Sequence, residues 1–367
     1  MRARVLMVPC LALAALASGA NGQWTATRYH PPGEALAGAG SQVVGYDAME
    51  HAGLWNSPSS FVSLHPPGME LSFAAGTDGV RQFGSVVLPG GSTSRAAMWS
   101  GSAASFVDLT PAWSESASII AASGGQQVGA VSPRIVDLNA AVWTATAASC
   151  VNLHPAGAEY SVATETDGAS QVGWIWSPSA GGRMRASLWY GTATSMVDLH
   201  PSAVHSSRAS GVFGGRQGGD VLFTGSEWWE THASIWTGSA ESWVDLNPAG
   251  AVASGINAMD AGIEVGFAKF EGYSDSRAGV WYGSAESFED LSVFLPGGSA
   301  AWSESRAYGV WVGGDTFYVY GSARRLEDGV TEAIVWSRPI PSPGVASMGI
   351  VAGTLLGRRR PAMSRPG

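Results

Sequence analysis

Short apolar runs, separated by turns bearing Gly, Ser and Pro, recur along most of this chain. "AAMW" at 96–99, "AAVW" at 140–143, "ASLW" at 186–189 and "ASIW" at 233–236 are members of one series. They do not alternate strictly between apolar and polar, and they lack the three-to-four step of a helix. Runs of this length bounded by turn residues predict strands buried on both faces.

The tryptophans set the period. Trp55, Trp99, Trp143, Trp189, Trp236, Trp281 and Trp336 are separated by 44, 44, 46, 47, 45 and 55 residues. Each has an alanine three positions before it: Ala52, Ala96, Ala140, Ala186, Ala233, Ala278 and Ala333. After the tryptophan comes a turn such as "GSAES", then a strand ending in Leu-His-Pro or a variant, then a small-residue stretch, then a Gln-Val-Gly-like strand. Four short strands in about 45 residues is the size of one propeller blade. The first fragment, "WTATRYHPPGEALAGAG", holds only the Tyr-His-Pro part of a unit, and the last, "FYVYGSARRLEDGVTEAIVW", lacks that part. Together they complete one unit, which predicts an all-β, seven-bladed β-propeller. Its closing blade is expected to be shared by residues 23–40 and 315–337, with Trp24 as a partial duplicate of the Trp336 position. Within each blade, Leu188 is expected to face one neighbour and Trp189 the other.

The two ends read differently from the repeats. Residues 1–20 place Arg2 and Arg4 before an apolar run and small residues, the pattern of a secretory signal peptide cleaved after Ala20. Residues 340–361 carry a Pro-rich turn, an apolar stretch too short for a normal membrane span, and Arg358, Arg359 and Arg360. The propeller is thus assigned to 23–337. Between residues 23 and 339 there are 14 basic and 29 acidic residues, and Lys269 is the only lysine. A body this acidic argues against nucleic acid as a partner. Charged residues make up 13% of the chain, against about 25% in an average domain, which suits an extracellular β-rich protein. With Cys10 in the leader, Cys150 stands alone, so neither an intramolecular disulfide nor a cysteine-based metal site is expected.

Two resemblances follow from these motifs. The tail, with Pro341, Ser342 and Pro343 ahead of the apolar stretch and the arginine cluster, resembles the PEP-CTERM sorting signal of exported bacterial proteins, with Ser342 where the family has Glu. That implies transient membrane insertion of the tail and an exosortase-like processing enzyme as partner. The alternative is a plain membrane anchor. The repeats, with His51-Ala52-Gly53, His232-Ala233-Ser234 and "GINAMDAGIEVG" at 255–266, resemble extracellular HAF-type repeats, although the Phe of that triplet is absent. This implies a secreted or surface-located repeat protein and brings no catalytic residues.

Candidate chemistry is sparse. His30, His65, His154 and His200 share one repeat position, which Thr110, Asn247 and Ser292 also occupy. Asp108, Asp198, Asp245 and Asp290 share another. Equivalent residues of separate blades seldom converge, so these are read as turn-bonding residues and no metal site is expected. Asp78 and Asp167 precede glycines and are read as turn formers, with Ca2+ as the alternative; no other cofactor is expected. No nucleophile elbow, zinc-binding helix or phosphate loop occurs. Outside the repeat pattern lie "WWETH" at 228–232 and the stretch 294–308. These make Trp228, Trp229, Glu230 and Trp302 the candidate binding residues. The sequence predicts a non-enzymatic binding or scaffold module for envelope polysaccharide or a surface protein. The alternative is a glycan-cleaving hydrolase or lyase, with Asp220, Glu227 and Glu230 as the acids to test.

Overall fold

Each repeat folds as four antiparallel strands, and the strands of successive repeats do not mix except at one place. The computed structural model describes residues 22–340 apart from 135, 136, 179, 180 and 272–274. Strand β1 spans Thr25–Tyr29. The first blade then runs from its inner strand β2 (Gly33–Ala39) through β3 (Gln42–Asp47) and β4 (Ala52–Ser57) to its outer strand β5 (Ser60–Ser63). The same order repeats with β6–β9 in 71–108, β10–β13 in 116–152, β14–β17 in 160–198, β18–β21 in 206–245 and β22–β25 in 251–290. The seventh blade takes three strands from the C-terminal side, β26 (Trp302–Gly313), β27 (Thr316–Arg325) and β28 (Thr331–Pro339), and its outer strand is β1.

The chain is therefore a seven-bladed propeller closed by strands from both ends, with a seam that differs from expectation. Only Thr25–Tyr29 joins the closing blade, paired antiparallel with β28 from Thr25↔Ser337 to Tyr29↔Ala333. Residues 33–39 are the inner strand of the next blade. The stretch 294–308 is no irregular insert beyond its first turns: Trp302 opens β26, the inner strand of the closing blade. Trp24 is not a second Trp336 either. Its indole N–H donates to Glu289 Oε2 (2.9 Å), and the Arg338 guanidinium covers its ring at 4.6 Å while pairing with Glu289 at 2.8 Å. Arg28 of β1 is ion-paired to the buried Glu332 of β28. These polar contacts latch the first strand to the last ones.

The repeated residues build the joints between blades. Each alanine of the Ala-x-x-Trp strand lies in one apolar cluster with the tryptophan of the following blade. Ala52 shares a cluster with Trp99, Ala96 with Trp143, Ala140 with Trp189, Ala186 with Trp236, Ala233 with Trp281, Ala278 with Trp336 and Ala333 with Trp55. All seven indoles are fully buried. A small side chain in one blade thus makes room for the large one of the next, as close packing requires. As expected, Leu188 lies in the cluster toward blade five and Trp189 in the cluster toward blade three.

A second joint is polar and accounts for His65, His154 and His200, whereas His30 is exposed and, among the described residues, bonds only through its backbone. Ser207, on the inner strand of blade five, accepts from the Ala186 N–H of blade four (2.9 Å) and lies 2.8 Å from His200 Nδ1. Ser72 with Ala52 and His65, and Ser161 with Ala140 and His154, repeat this clip. Asn247 takes the histidine's place beside Ser254 (2.6 Å). Where the serine is replaced by Ala117, Thr110 Oγ1 accepts directly from Ala96 N–H (3.1 Å). One buried N–H per joint needs an acceptor, and several side-chain sets supply it. The repeated aspartates accept from the backbone N–H two residues on: Asp108 from Thr110, Asp198 from His200, Asp245 from Asn247 and Asp290 from Ser292.

The glycine of the Gln-Val-Gly strand has one cause. Every inner strand carries a β-bulge, for example between Ala163 and Glu165 or Ala307 and Gly309. Opposite it, a Cβ on Gly173 would sit 1.9 Å from the Val162 carbonyl oxygen, and one on Gly129 1.9 Å from that of Ser118. Only glycine admits the bulge. The extra residue of each bulge is turned out of the ladder. Those seven residues, Leu36, Ala75, Ile120, Thr164, Ser210, Asn257 and Tyr308, all line the central channel.

Candidate functional site

Two cavities meet along the axis of the ring, and both are walled by Ser210 and Asn257. One is the channel mouth beneath the turns that join the inner strand of each blade to the next strand, with a volume of about 720 Å3. The other, of about 840 Å3, lies on the opposite face under the connections between the second and third strands of blades four to six, with Glu304 and Arg306 of the inner strand of blade seven in its wall.

Trp228 and Trp229 roof the second cavity. They sit in the connection between β19 (Arg216–Leu222) and β20 (Thr231–Trp236), at 223–230 the longest of the seven equivalent connections. Residues 227–230 form a tight turn, closed by Glu230 N–H donating to Glu227 O (2.9 Å). The Glu230 carboxylate accepts from Glu227 N–H (3.0 Å), clamping the turn from outside. The two indoles occupy the central positions of that turn. Trp228 is 82% exposed and Trp229 37%. Lys269 Nζ lies 4.7 Å from the Trp229 ring centre, a cation–π contact that fixes this indole at the cavity wall.

Other expected residues fall elsewhere. Trp302 is 9% exposed, packed in the core between blades six and seven, and its N–H donates to Pro296 O (3.0 Å). Its large apolar area is taken up by that core, with only an edge at the surface. Asp220 faces the cavity, but it pairs with Arg208 directly across the strand ladder (2.9 Å). Burial raises the Asp220 carboxyl, and the Arg208 charge opposes that shift. Glu227 and Glu230 are not among the residues lining the cavity, so these three acids do not converge there. Pro341, Ser342, Pro343, Arg358, Arg359 and Arg360 lie outside the described residues, as does the leader.

Asp78 and Asp167 serve as turn formers. Asp78 Oδ1 accepts from Val80 and Arg81 N–H, and Asp167 Oδ1 from Ala169 and Ser170 N–H. Among the described residues, no group of three or more His, Cys, Asp or Glu is placed to hold a metal ion. The Cys150 thiol is free, and burial pushes it up to about 12, which keeps it protonated and unreactive. Among the described residues, no helix is long and apolar enough to cross a membrane.

One feature of the channel escaped the sequence. Glu165 follows the bulge of blade four and lines the channel together with Asp260. Burial pushes its carboxyl up to about 7, with the charges of Asp167 and Asp260 adding to the rise. Burial raises Asp260 as well, opposed by the N–H of Val312, which donates to it at 2.8 Å. The Glu165 position is not acidic in any other blade, so no periodic signal marks it, whereas Asp260 stands at the turn position that Asp78 and Asp167 occupy in their blades.

The sequence matches no family model and no curated protein. Solved structures do resemble it. The β-propeller domain of the Trilobed protease from Pyrococcus furiosus superposes with a TM-score of 0.52 at 9% identity, covering 86% of this chain and 98% of that one. That likeness supports the propeller fold. Its topology is described as an open velcro, whereas here β1 closes the ring on β28. A puromycin hydrolase gives 0.49 at 10% identity over 83% of this chain, and a prolyl endopeptidase 0.48 at 12% over 87%. This chain spans about half of each of those two, 53% and 51%.

Proposed function

We propose that this is an exported, non-enzymatic binding propeller of the cell surface or extracellular matrix, and that its ligand is a carbohydrate held beneath Trp228 and Trp229. The observation that carries this reading is the indole pair itself. Two tryptophans stand exposed on the longest connection of the ring, held by the Glu230 clamp, over a cavity of about 840 Å3. Flat apolar rings beside polar side chains suit the face and the hydroxyls of a sugar. The leader at 1–20 and the tail bearing Pro341, Ser342, Pro343 and Arg358–Arg360 support export and processing by an exosortase-like enzyme. The test is an oligosaccharide array followed by product analysis of each hit. Binding without product, lost in W228A, is the expected result. No hit, or hits unaffected by W228A and W229A, overturns the reading.

A second reading, a glycan hydrolase or lyase, is favoured by Glu165. A carboxyl held near neutrality beside a second carboxyl, Asp260, is what general acid catalysis needs. It predicts product release from a bound glycan and its loss in E165Q.

A further inference from the structure

The carbohydrate reading leaves the sugar class open, and the charges around the cavity narrow it. Between residues 23 and 339 basic residues are outnumbered 14 to 29. In the cavity the balance tips slightly the other way, with four basic residues, Arg183, Arg208, Lys269 and Arg306, against three acidic ones, Asp220, Asp275 and Glu304. The pairing of the cations is more telling than their number. Arg208 is tied to Asp220 and Arg306 to Glu304. Nearly every other arginine of the propeller is also ion-paired, for example Arg28 with Glu332, Arg185 with Asp198, Arg216 with Glu264 and Arg277 with Asp290. Among the described residues, three cations form no ion pair. Arg324 donates to the Gly329 carbonyl, and the other two, Arg183 and Lys269, both line this cavity. They flank the tryptophans, Arg183 on blade four and Lys269 on blade six, with Trp228 and Trp229 on blade five between them.

We infer that the cavity takes an acidic saccharide, a chain of uronate type whose sugar faces stack on Trp228 and Trp229 and whose carboxylates meet Arg183 and Lys269. This rests on the carbohydrate reading above. Two half-buried cations without an acid partner leave their charge unbalanced in a low-dielectric recess, and an anionic ligand supplies what is missing. The strongly acidic body repels such a ligand everywhere else, so attraction is confined to this face. Stacking on exposed indoles favours a saccharide over an acidic peptide.

The probes are hexagalacturonate, a neutral hexaglucan and hexaglutamate, titrated into the purified full-length protein at low and at physiological salt. Hexagalacturonate is expected to bind tightest and to weaken as salt rises. R183Q and K269Q should each weaken it about tenfold or more. R134Q, the same charge change at an exposed position outside the cavity, should leave it within about twofold. If the hexaglucan binds as tightly and R183Q and K269Q change nothing while W228A abolishes binding, the acidic class is wrong and the carbohydrate reading stands. Equal binding of hexaglutamate overturns the saccharide in favour of an acidic peptide. If none of the three binds, both readings fall.

Discussion

The joints between blades and the walls of the central cavities are built on the same seven-fold frame, yet they treat sequence in opposite ways. At the joints, one alanine meets one tryptophan seven times over, and a polar clip recurs with interchangeable His, Asn or Thr. At the bulge positions, seven structurally equivalent residues are Leu36, Ala75, Ile120, Thr164, Ser210, Asn257 and Tyr308, with no shared chemistry. A joint must satisfy the same packing and hydrogen-bond demand each time, so its residues converge. A channel wall is excused from that demand. Repetition in this chain reports stability, and departures from it mark where binding is to be sought.

The joint between blades five and six offers the sharpest way to break that rule. Four blades place a glutamine, Gln82, Gln127, Gln171 or Gln217, where its Oε1 accepts from the turn after the tryptophan. Blade six uses Glu264, which accepts from Gly283 N–H (2.8 Å) and pairs with Arg216 (2.8 Å). Burial raises this carboxyl and the Arg216 charge opposes the shift. R216Q strands a buried acid and is expected to destabilise the fold by about 3 kcal/mol or more. The double variant R216Q/E264Q restores the pattern of the other joints and should regain most of that loss in chemical denaturation.

Removing one clip is the next largest effect. S207A leaves the Ala186 N–H without its acceptor and His200 without its partner, which is expected to cost about 1–3 kcal/mol. S207A combined with H200T tests interchangeability, because it imitates the Thr110 solution beside Ala117 and should recover stability.

The clip also predicts a pH effect. Burial, reinforced by the Arg185 charge, pushes the His200 imidazole down to about 4, and burial lowers His65 and His154 in the same direction. An unfolded histidine takes up its proton near pH 6.5. The unfolded state therefore binds more protons between about pH 6.5 and 4, so this contribution to stability is complete above 6.5 and is lost as the pH falls toward 4. H200N, which copies Asn247, should flatten the fall in Tm over that window.

Much of this was legible in the sequence because the joints impose a period. The alanine and tryptophan spacing revealed the blades, and the split unit revealed ring closure. The exact seam was not legible, since β1 and β2 belong to different blades although only three residues separate them. Trp302 stood outside the repeat and looked free, but an inner strand begins with it and the core absorbs it. Bulges leave no mark in a hydrophobic pattern, so the seven bulge residues and Glu165 were invisible. Trp228 and Trp229 were found because they interrupt the period, while the unpaired state of Arg183 and Lys269 needed the positions of every acid.

The smallest expected stability effect belongs to W228A, which removes an exposed ring and should leave stability within about 0.5 kcal/mol. Measuring Tm and oligosaccharide affinity together on W228A and S207A tests the separation of joint from cavity most directly. The account predicts that W228A keeps the wild-type Tm and loses binding, while S207A lowers Tm and, below its melting range, binds as the wild type does. A W228A protein that melts early, or that binds unchanged, would contradict it.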